Sequence, residues 1–343
     1  RVMPIVKIRG HRGRWYLWSF ASLFAAVALS LVGVSLLFLY QTIRTPINQN
    51  EQFLIITPGT GTHSLATQLV SEGLAGSRWP VLAWAVLSGT SGTFKSGEFL
   101  IPQQTSPAQI LGKISRGDVH QRKLTIIEGL RFSQLRDRLE KEKNLTGNLA
   151  DLSQSDLADH LSLDAPSVEG AFFPSTYFFL RRDSDLNVLS RAATKMREEL
   201  SSAWDARAAD LLLKDPYEAL ILASIIQKEA MLESEMPRIS GVFHNRLRLK
   251  MRLQTDPTVI FGLGPSFKGP LKRSHLKKDT PYNTYTRNGL PPGPISLPGR
   301  AALLAAVNPL ETEDLYFMAK GDGSHEFSRT LEEHNRAVKK YRR

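Results

Sequence analysis

A glutamate that follows a long apolar stretch is the first candidate for chemistry in this sequence. Residues 219–226 are apolar except for Ser224, and Glu229 stands three, four and seven positions after apolar residues of that stretch. On a helix, this spacing turns Glu229 toward the interior. Burial raises the pKa of a carboxyl, so Glu229 would stay protonated near neutral pH, as a general acid must. The alternative is a solvated side chain in the last helical turn, beside Lys228.

A second group of polar and aromatic residues follows downstream. Asp256 precedes a proline, and an Asp-Pro pair favours an extended residue and can cap the next helix, so both capping and catalysis are open for Asp256. The segments 281–285 (PYNTY) and 289–295 (GLPPGPI) are dense in aromatic, amide and rigid residues. Aromatic faces and amide groups suit a groove that binds sugars, although such segments also occur as packed surface loops.

The sequence contains no pattern of a metal or cofactor site. It has no cysteine, which excludes disulfides, thiolate metal sites and a cysteine nucleophile. The eight histidines are scattered, and the absence of a His-Glu-x-x-His pattern argues against a zinc enzyme. We therefore expect neither a metal nor a cofactor.

Local signals place Glu229 at the end of a helix. Residues 215–218 (DPYE) combine a capping acid, a proline at the first helical position and a glutamate three residues after the cap, so a helix should start there. Because its body is apolar on all sides, this helix must be buried almost completely. Glu218, Glu233 and Glu235 are interpreted as capping or exposed charges.

The N-terminal region predicts a membrane anchor. Residues 15–43 carry no charge, and a helix of that length reaches about 44 Å, against roughly 30 Å for the hydrocarbon core of a bilayer. Residues 1–14 carry five Arg or Lys and no acid, which predicts that they stay in the cytoplasm and that the rest is extracytoplasmic. The alternatives are a core helix and a signal peptide cleaved after residues 26–28 (AVA), but the apolar run continues past that site. Residues 44–52 are predicted to be a linker.

The charge distribution argues against nucleic acid as a partner. The net charge is +11, of which five positive charges lie in residues 1–14 and five in residues 336–343, leaving +1 for everything between them. A near-neutral body with basic ends fits a topology signal and a tail better than a surface that follows phosphates.

Residues 53–123 predict a small module. The expected elements are strands at 53–57 and 95–102 and helices at about 64–70, 79–88 and 107–117. In the first helix, Leu65, Leu69 and Val70 should share the buried face. The order strand, helix, helix, strand, with FLIITPGTGTHSLATQL at its start and KSGEFLIPQQTSPAQILGKISRG at its end, resembles a LysM-like module, a type of domain that binds wall glycans. A small α+β spacer is the alternative.

The remaining chain, residues 124–343, predicts a larger α+β domain. A strand is expected at 123–128, a helix at about 132–141, and loops or short helices at 142–159. Strand and helix signals do not alternate regularly, which favours the α+β class over a parallel α/β sheet.

Five segments together resemble a known family. They are VEGAFFPSTYFF at 168–179, LASIIQKEA at 222–230, FHNRLRLKMRLQTDPTVIFGLG at 243–264, TPYNTYTRNGLPPGPISLPG at 280–299 and GDGSHEFSRTLEEHNRAVKKY at 321–341. They are similar to the endolytic murein transglycosylases, the MltG or YceG-like proteins. The resemblance covers the chain from the anchor to the C-terminus and is most specific from Val168 onward.

The resemblance implies an activity and a location. The family implies a bacterial inner-membrane lyase that cleaves the β-1,4 bond between N-acetylmuramic acid and N-acetylglucosamine inside peptidoglycan strands, without water, leaving a 1,6-anhydromuramyl end. The family's catalytic glutamate matches Glu229. Gln227 stands where relatives carry Glu, but a residue two positions earlier on a helix faces away from Glu229, so we expect no loss of catalysis. Penicillin-binding proteins and their wall-synthesis complexes are the implied partners.

The resemblance and the residue chemistry together give a candidate groove. We expect that Glu229 is catalytic and that the groove is lined by Gln254, Asp256, Tyr282, Asn283 and Tyr285, with Glu169 and His325 as further candidates. Two other functions stay open at this point. One is a scaffold that binds the wall without cleaving it, and the other is a muramidase hydrolase with Asp256 as its second acid.

Overall fold

The chain divides into two compact units. The computed structural model describes residues 12–163 and 167–341. One unit runs up to His120 and the other starts at Gln121, and each is described by itself.

The first unit begins with a long apolar helix. Helix α1 spans Arg12–Arg44, and its part from Phe20 to Arg44 is long and apolar enough to cross a membrane. Its apolar side chains are mostly exposed, as a helix surrounded by lipid requires. The predicted segment 15–43 lies within α1, whereas most of the predicted cytoplasmic segment 1–14 lies outside the described residues.

The rest of the first unit is a small module with its own core. Its elements are β1 Gln52–Ile56, α2 Thr62–Ser71, α3 Arg78–Leu87, β2 Gly97–Ile101 and α4 Pro107–Arg116. Strands β1 and β2 pair antiparallel, with Leu54 opposite Phe99. The predicted order of elements is confirmed, and the C-terminal end of α1 joins this core because Ile43 is buried in it.

The hydrogen bonds at the ends of helix α4 explain why its bounds could be predicted from the sequence. Ser106 accepts a hydrogen bond from the backbone N–H of Gln109, whose side chain accepts one from the backbone N–H of Ser106, so both groups are satisfied. Gly117 ends the helix with φ of +76°, a left-handed conformation that favours glycine.

One prediction about α2 is wrong. Leu65 and Leu69 are buried as expected, but Val70 is exposed and Ala66 is buried in its place. Successive helical residues are about 100° apart, so Val70 is rotated away from the stripe that Leu65, Ala66 and Leu69 present to the core.

The second unit is a mostly helical body with two small sheets. Its elements are β3 Arg122–Thr125, α5 Phe132–Glu140, α6 Gln154–His160, β4 Thr176–Phe179, α7 Asp185–Asp205, α8 Pro216–Glu229, α9 Met236–Arg248, α10 Asp256–Gly262, α11 Arg273–Lys277, α12 Arg300–Val307, β5 Tyr316–Ala319, β6 His325–Ser328 and α13 Leu331–Tyr341. Strand β3 pairs antiparallel with β4, and β5 pairs antiparallel with β6. These antiparallel pairs among helices confirm the α+β class.

Strand β3 is shorter than predicted. It was expected over residues 123–128 but ends at Thr125. The backbone N–H of Ile126 still donates to Ser175, and the chain then turns so that Gly129 donates to the carbonyl of Leu297. Tertiary hydrogen bonds therefore end the strand before the apolar pattern does.

Helix α8 lies at the centre of the larger core. Asp215 accepts a hydrogen bond from the backbone N–H of Glu218, and Pro216 occupies the first turn, as predicted. All residues from Ala219 to Ile226 are buried, and α9 and α12 pack against them. The polar member, Ser224, donates to the carbonyl of Ile221 at 2.7 Å and accepts from the backbone N–H of Ile295 at 3.0 Å, so its burial leaves no free hydroxyl.

Candidate active site

A polar cleft of about 610 Å³ opens at the C-terminal end of α8. Its walls come from the end of α8, from α9, from the loop before α10, from the loop that carries Tyr285, from β5 and β6, and from α13. The lining residues are Glu229, Arg246, Leu253, Gln254, Asp256, Tyr285, Tyr316, Phe317, Met318, Ala319, His325, Leu331, His334, Asn335 and Val338. Five of the eight predicted site residues are thus brought together: Glu229, Gln254, Asp256, Tyr285 and His325.

Glu229 has the electrostatic setting of an acid that is protonated at mildly acidic pH. The pKa of Glu229 is raised to about 6, mainly because burial disfavours the charged form and also because the negative charge of Asp256 lies nearby. A hydrogen bond from Thr255 and the positive charges of His325 and Arg246 lower the pKa and limit the rise. Because the side chain also keeps some exposure at the cleft, a proton on Glu229 can reach a bound molecule.

Three threonines attach the loops of the site to one another. The Thr255 hydroxyl donates to Oε1 of Glu229 in a very short contact, and the backbone N–H of Thr255 donates to the Thr284 hydroxyl at 3.1 Å. The Thr258 hydroxyl lies 2.9 Å from the Thr284 hydroxyl and donates to the Thr255 carbonyl at 2.7 Å. All three are buried, so the start of α10 and the 280s loop hold Glu229 in a fixed orientation.

Asp256 and Tyr285 form a pair on the cleft wall. The Tyr285 hydroxyl donates to Oδ1 of Asp256 at 2.6 Å. Burial raises the pKa of the Tyr285 hydroxyl, and the hydrogen bond to Asp256 raises it further, so Tyr285 stays a neutral donor. Asp256 is the first residue of α10, whereas the capping position belongs to Thr255. Its carboxylate is therefore available to the cleft.

Gln254 has a strained backbone and directly precedes Thr255, the hydrogen-bond partner of Glu229. Its φ is +51°, in the left-handed region that residues with a side chain rarely adopt. The backbone N–H of Gln254 donates to the carbonyl of Thr284 at 3.2 Å, which holds the turn and leaves the side chain on the cleft. Such strain persists only where the surrounding structure fixes it, and it is frequent at functional sites.

Arg246 was not predicted from the sequence. It is buried, its Nε donates to the carbonyl of Leu315 at 2.7 Å, and its Nη1 donates to the carbonyl of Leu253 at 2.8 Å. The guanidinium also lies 5.0 Å from the centre of the Tyr316 ring. Arg246 therefore joins three parts of the wall and adds a positive charge near Glu229. Its signal was an arginine seven residues after Ile239 on the apolar face of α9.

His325 is held by a carboxylate that the sequence suggested was only exposed or capping. Its Nδ1 lies 2.7 Å from Oε2 of Glu235, and its backbone N–H donates to Oε1 of the same residue at 3.1 Å. The ring is also flanked by Phe317 and Phe327. Glu235 thus fixes the orientation of His325, and because a carboxylate oxygen can only accept, Nδ1 is the donor in this contact.

The other three predicted residues lie outside the cleft lining. Glu169 is buried below the start of α5, where both its carboxylate oxygens accept from the backbone N–H of Phe132 at 3.0 and 3.1 Å. Burial raises the pKa of Glu169 to about 7. Tyr282 packs on Phe261, with ring centroids 4.7 Å apart.

Asn283 is buried, and its side-chain amide is hydrogen-bonded within its own loop. Its Nδ2 donates to the carbonyls of Leu276 and Lys278 at 3.1 and 2.7 Å, and its Oδ1 accepts from the backbone N–H of Tyr285 at 2.8 Å. These bonds shape the segment that presents Tyr285 to the cleft. Within residues 12–163 and 167–341, no group of three or more His, Asp or Glu side chains is arranged to hold a metal ion.

Comparison with known proteins gives a consistent family. The chain is 29% identical over 325 residues to the endolytic murein transglycosylase of Bacillus subtilis (strain 168), covering 89% of each chain. It is 28% identical over 176 residues to the endolytic murein transglycosylase of Streptococcus pneumoniae (strain D39), where the match covers 50% of this chain and 32% of the relative.

A solved structure and a family model agree with these relatives. The crystal structure of a YceG-like protein from Listeria monocytogenes matches with a TM-score of 0.52 at 28% identity, covering 84% of this chain and 99% of that one. The model of the YceG-like family matches residues 54–340, which include the whole lining of the cleft. This chain therefore belongs to the YceG-like family.

Proposed function

We propose that this protein is an endolytic murein transglycosylase. It cleaves the β-1,4 bond between N-acetylmuramic acid and N-acetylglucosamine within peptidoglycan strands, without water, and leaves a 1,6-anhydromuramyl end. The observation that carries the proposal is Glu229, a carboxyl whose pKa is raised to about 6 at the edge of a polar cleft. The names of the relatives from Bacillus subtilis and Streptococcus pneumoniae support the same activity.

The mechanism requires one carboxyl that acts twice. Glu229 donates its proton to the glycosidic oxygen as the bond to C1 of the muramic acid breaks. The resulting carboxylate then takes the proton from the C6 hydroxyl of the same sugar while that oxygen attacks C1. One bond breaks, one ring closes and the proton returns to Glu229, so no water is consumed. The hydrogen bond from Thr255 keeps the carboxylate oriented between the two steps.

The remaining cleft residues have roles that follow from their positions. Asp256, held by Tyr285, presents a negative charge that stabilises the positive charge developing on the sugar as the bond breaks. Gln254 and His325 line the cleft and bind hydroxyl or amide groups of the strand. We expect Asn283, Tyr282 and Glu169 to support the walls of the groove, because their contacts are within the protein.

The test is product analysis with the full-length chain in detergent micelles. Purified peptidoglycan is digested and the products are identified by mass spectrometry. The unaltered protein should release anhydro-ended fragments, and Glu229→Gln should abolish their release. Glu233→Gln is the matched control, because Glu233 is an exposed glutamate on the neighbouring short turn.

Each other product pattern contradicts a defined part of the proposal. Unchanged release by Glu229→Gln would exclude Glu229 as the acid. Hydrated reducing ends would indicate a muramidase with Asp256 as second acid. Strand binding without any cleavage would indicate a wall-binding scaffold.

The cellular setting of the enzyme is also part of the proposal. Helix α1 is an uncut anchor in the bacterial inner membrane, with its N-terminus in the cytoplasm and the cleft on the wall side. There the enzyme meets strands as they are made and terminates their elongation. The β1–β2 module is a LysM-like unit that binds glycan, and penicillin-binding proteins with their wall-synthesis complexes are the protein partners.

A further inference from the structure

Helix α3 has an apolar face that the protein leaves uncovered. Its sequence is RWPVLAWAVL, with Arg78 as its one charged residue. Val81 and Ala85 are buried in the core of the first unit, whereas Trp79, Val86 and Leu87 are 66%, 69% and 64% exposed. A helix that is apolar on both faces needs an apolar neighbour on each side. An exposed cluster of this kind marks an interaction surface.

The end of α1 fixes where this face lies. Ile43 of α1 is buried in the same core as Val81 and Ala85, so α1 and α3 are packed together. The Arg44 guanidinium lies 4.8 Å from the centre of the Tyr40 ring and 5.9 Å from that of Trp84 in α3. Helix α3 is therefore at the level of the last turn of α1.

The length of α1 places that level at a membrane surface. About 20 helical residues cross the hydrocarbon core of a bilayer. Counted from Phe20, this length ends at Leu39, and the next turn carries Tyr40 and Arg44, residue types that favour the headgroup region. Helix α3 contacts that turn and is held at the same depth.

We propose that the exposed face of α3 inserts into the lipid surface at the C-terminal end of α1. Trp79, Val86 and Leu87 enter the boundary between headgroups and acyl chains, as the apolar face of an interfacial helix does. Arg78, whose guanidinium lies 5.4 Å from the centre of the Trp79 ring, pairs with anionic headgroups at the rim of this face. The module is thus bound to the membrane at two points, through α1 and through α3. This inference depends on α1 spanning the membrane, as proposed above.

The lack of cysteine allows a direct test with single labels. The full-length chain is reconstituted into vesicles of phosphatidylethanolamine and phosphatidylglycerol. A nitroxide is attached to Val86→Cys in α3, to Val27→Cys in the middle of α1, or to Thr67→Cys on the exposed polar side of α2. Electron paramagnetic resonance then compares the collision of each label with oxygen, which concentrates in lipid, and with a water-soluble nickel chelate.

The proposal predicts three different environments. The Val27 label should be deep in lipid, the Thr67 label in water, and the Val86 label in lipid near the headgroups, with an oxygen-to-nickel ratio several-fold above that of Thr67. Replacing Trp79 and Leu87 by serine should lower the ratio at Val86. These positions are exposed, so circular dichroism should remain unchanged.

Three outcomes would overturn the inference, and they are distinguishable. A Val86 label as accessible to nickel as the Thr67 label would mean that α3 faces water. A Val86 label shielded from both reagents would mean that protein, either a second copy or a partner, covers the face. A Val27 label in water would remove the anchor itself, which is a failure of the proposed topology and leaves the product analysis of Glu229 unaffected.

Discussion

Glu229 is set between opposing influences that act on one carboxyl. Burial and Asp256 favour its neutral form, whereas Thr255, His325 and Arg246 favour its charged form. An acid that must also serve as a base needs both forms within reach, and a pKa of about 6 provides them close to neutral pH. The surrounding residues therefore adjust the pKa of Glu229 as well as hold its position.

The pKa of Glu229 predicts the pH dependence of cleavage. Its ordinary value is 4.5 and its value here is about 6, so the neutral acid persists to higher pH than in a solvated glutamate. We expect kcat/KM to fall above about pH 6 and to approach a tenfold loss per pH unit, because only protonated Glu229 can start the reaction. Initial rates of anhydro-product release across pH 4.5 to 8.5 measure this decrease of kcat/KM. A rate that rises with pH through this range would contradict Glu229 as the acid.

Removing the hydroxyl of Thr255 should move the fall of kcat/KM to higher pH. The hydrogen bond from Thr255 stabilises the charged carboxylate, so Thr255→Val, which keeps the shape of the side chain, should raise the pKa of Glu229. A hydrogen bond to a charged group contributes about 1.5–3 kcal/mol, which corresponds to a shift of about one to two pH units. The pH profile of kcat/KM is the measurement.

The matched control for this change is Thr258→Val. The Thr258 hydroxyl forms hydrogen bonds with Thr255 and Thr284 but none with Glu229. Its loss should therefore leave the fall of kcat/KM at its original pH. Equal shifts in the two variants would show that the threonine cluster acts through packing alone.

At this scale the sequence could identify Glu229 but not its surroundings. The spacing of apolar residues before Glu229 predicted a partly buried carboxyl, and burial is the main cause of its raised pKa. Thr255 and Glu235 act on residues far from them in the chain, so no local pattern marks them, whereas Arg246 could be found only from its place on the apolar face of α9. Asn283 was chosen for its amide, but that amide is consumed by hydrogen bonds within its own loop.

Among the elements, α8 is attached to a neighbouring loop through the buried hydroxyl of Ser224. Ser224 links α8 to the segment that begins at Ile295, and the Ser296 hydroxyl donates to the carbonyl of Ser224 at 3.0 Å. The helix that ends in Glu229 is thus bonded in its middle to a neighbouring loop.

Ser224→Ala should therefore lower the free energy of unfolding. It leaves the buried backbone N–H of Ile295 without an acceptor, at a cost of about 1–3 kcal/mol. Denaturant unfolding of the second unit, followed by fluorescence, measures the loss. Ser201→Ala on the exposed side of α7 is the control and should change stability by about 0.5 kcal/mol or less. Equal stability of the two variants would contradict the role assigned to Ser224.

The elements themselves were largely readable from local chemistry. The caps of α4 and α8 rest on residues within four positions, and both helices begin where their caps predict. The C-terminal end of β3 was misjudged because hydrogen bonds to residues distant in the chain decide it. The error on α2 was one of helical spacing, because Val70 lies off the stripe of Leu65, Ala66 and Leu69. The pairing of β5 with β6 was not expected, since it needs no long apolar run.

At the scale of the whole molecule, the proposed anchor leads to a prediction about which strands the enzyme meets. We expect that replacing residues 1–38 by a cleaved secretion signal gives an active but ineffective protein in cells. Residues 39–44 are retained in this variant because Ile43 belongs to the core of the first unit. In a strain that lacks the native protein, glycan strands should stay abnormally long, as measured by chromatography of strands freed from their peptides. Normal strand lengths with the released form would contradict a role for the anchor.

The order of the cleft residues along the chain has a consequence for the synthesis of the protein. More than half of the cleft lining comes from β5, β6 and α13, which follow Glu229 late in the chain. A chain that emerges from its N-terminus carries Glu229 before the opposite side of the cleft exists. Until Tyr316 and the residues after it have been made and folded, Glu229 lacks His325 and more than half of the cleft lining. We therefore expect a copy of this chain that stops before Tyr316 to be unable to cleave glycan strands.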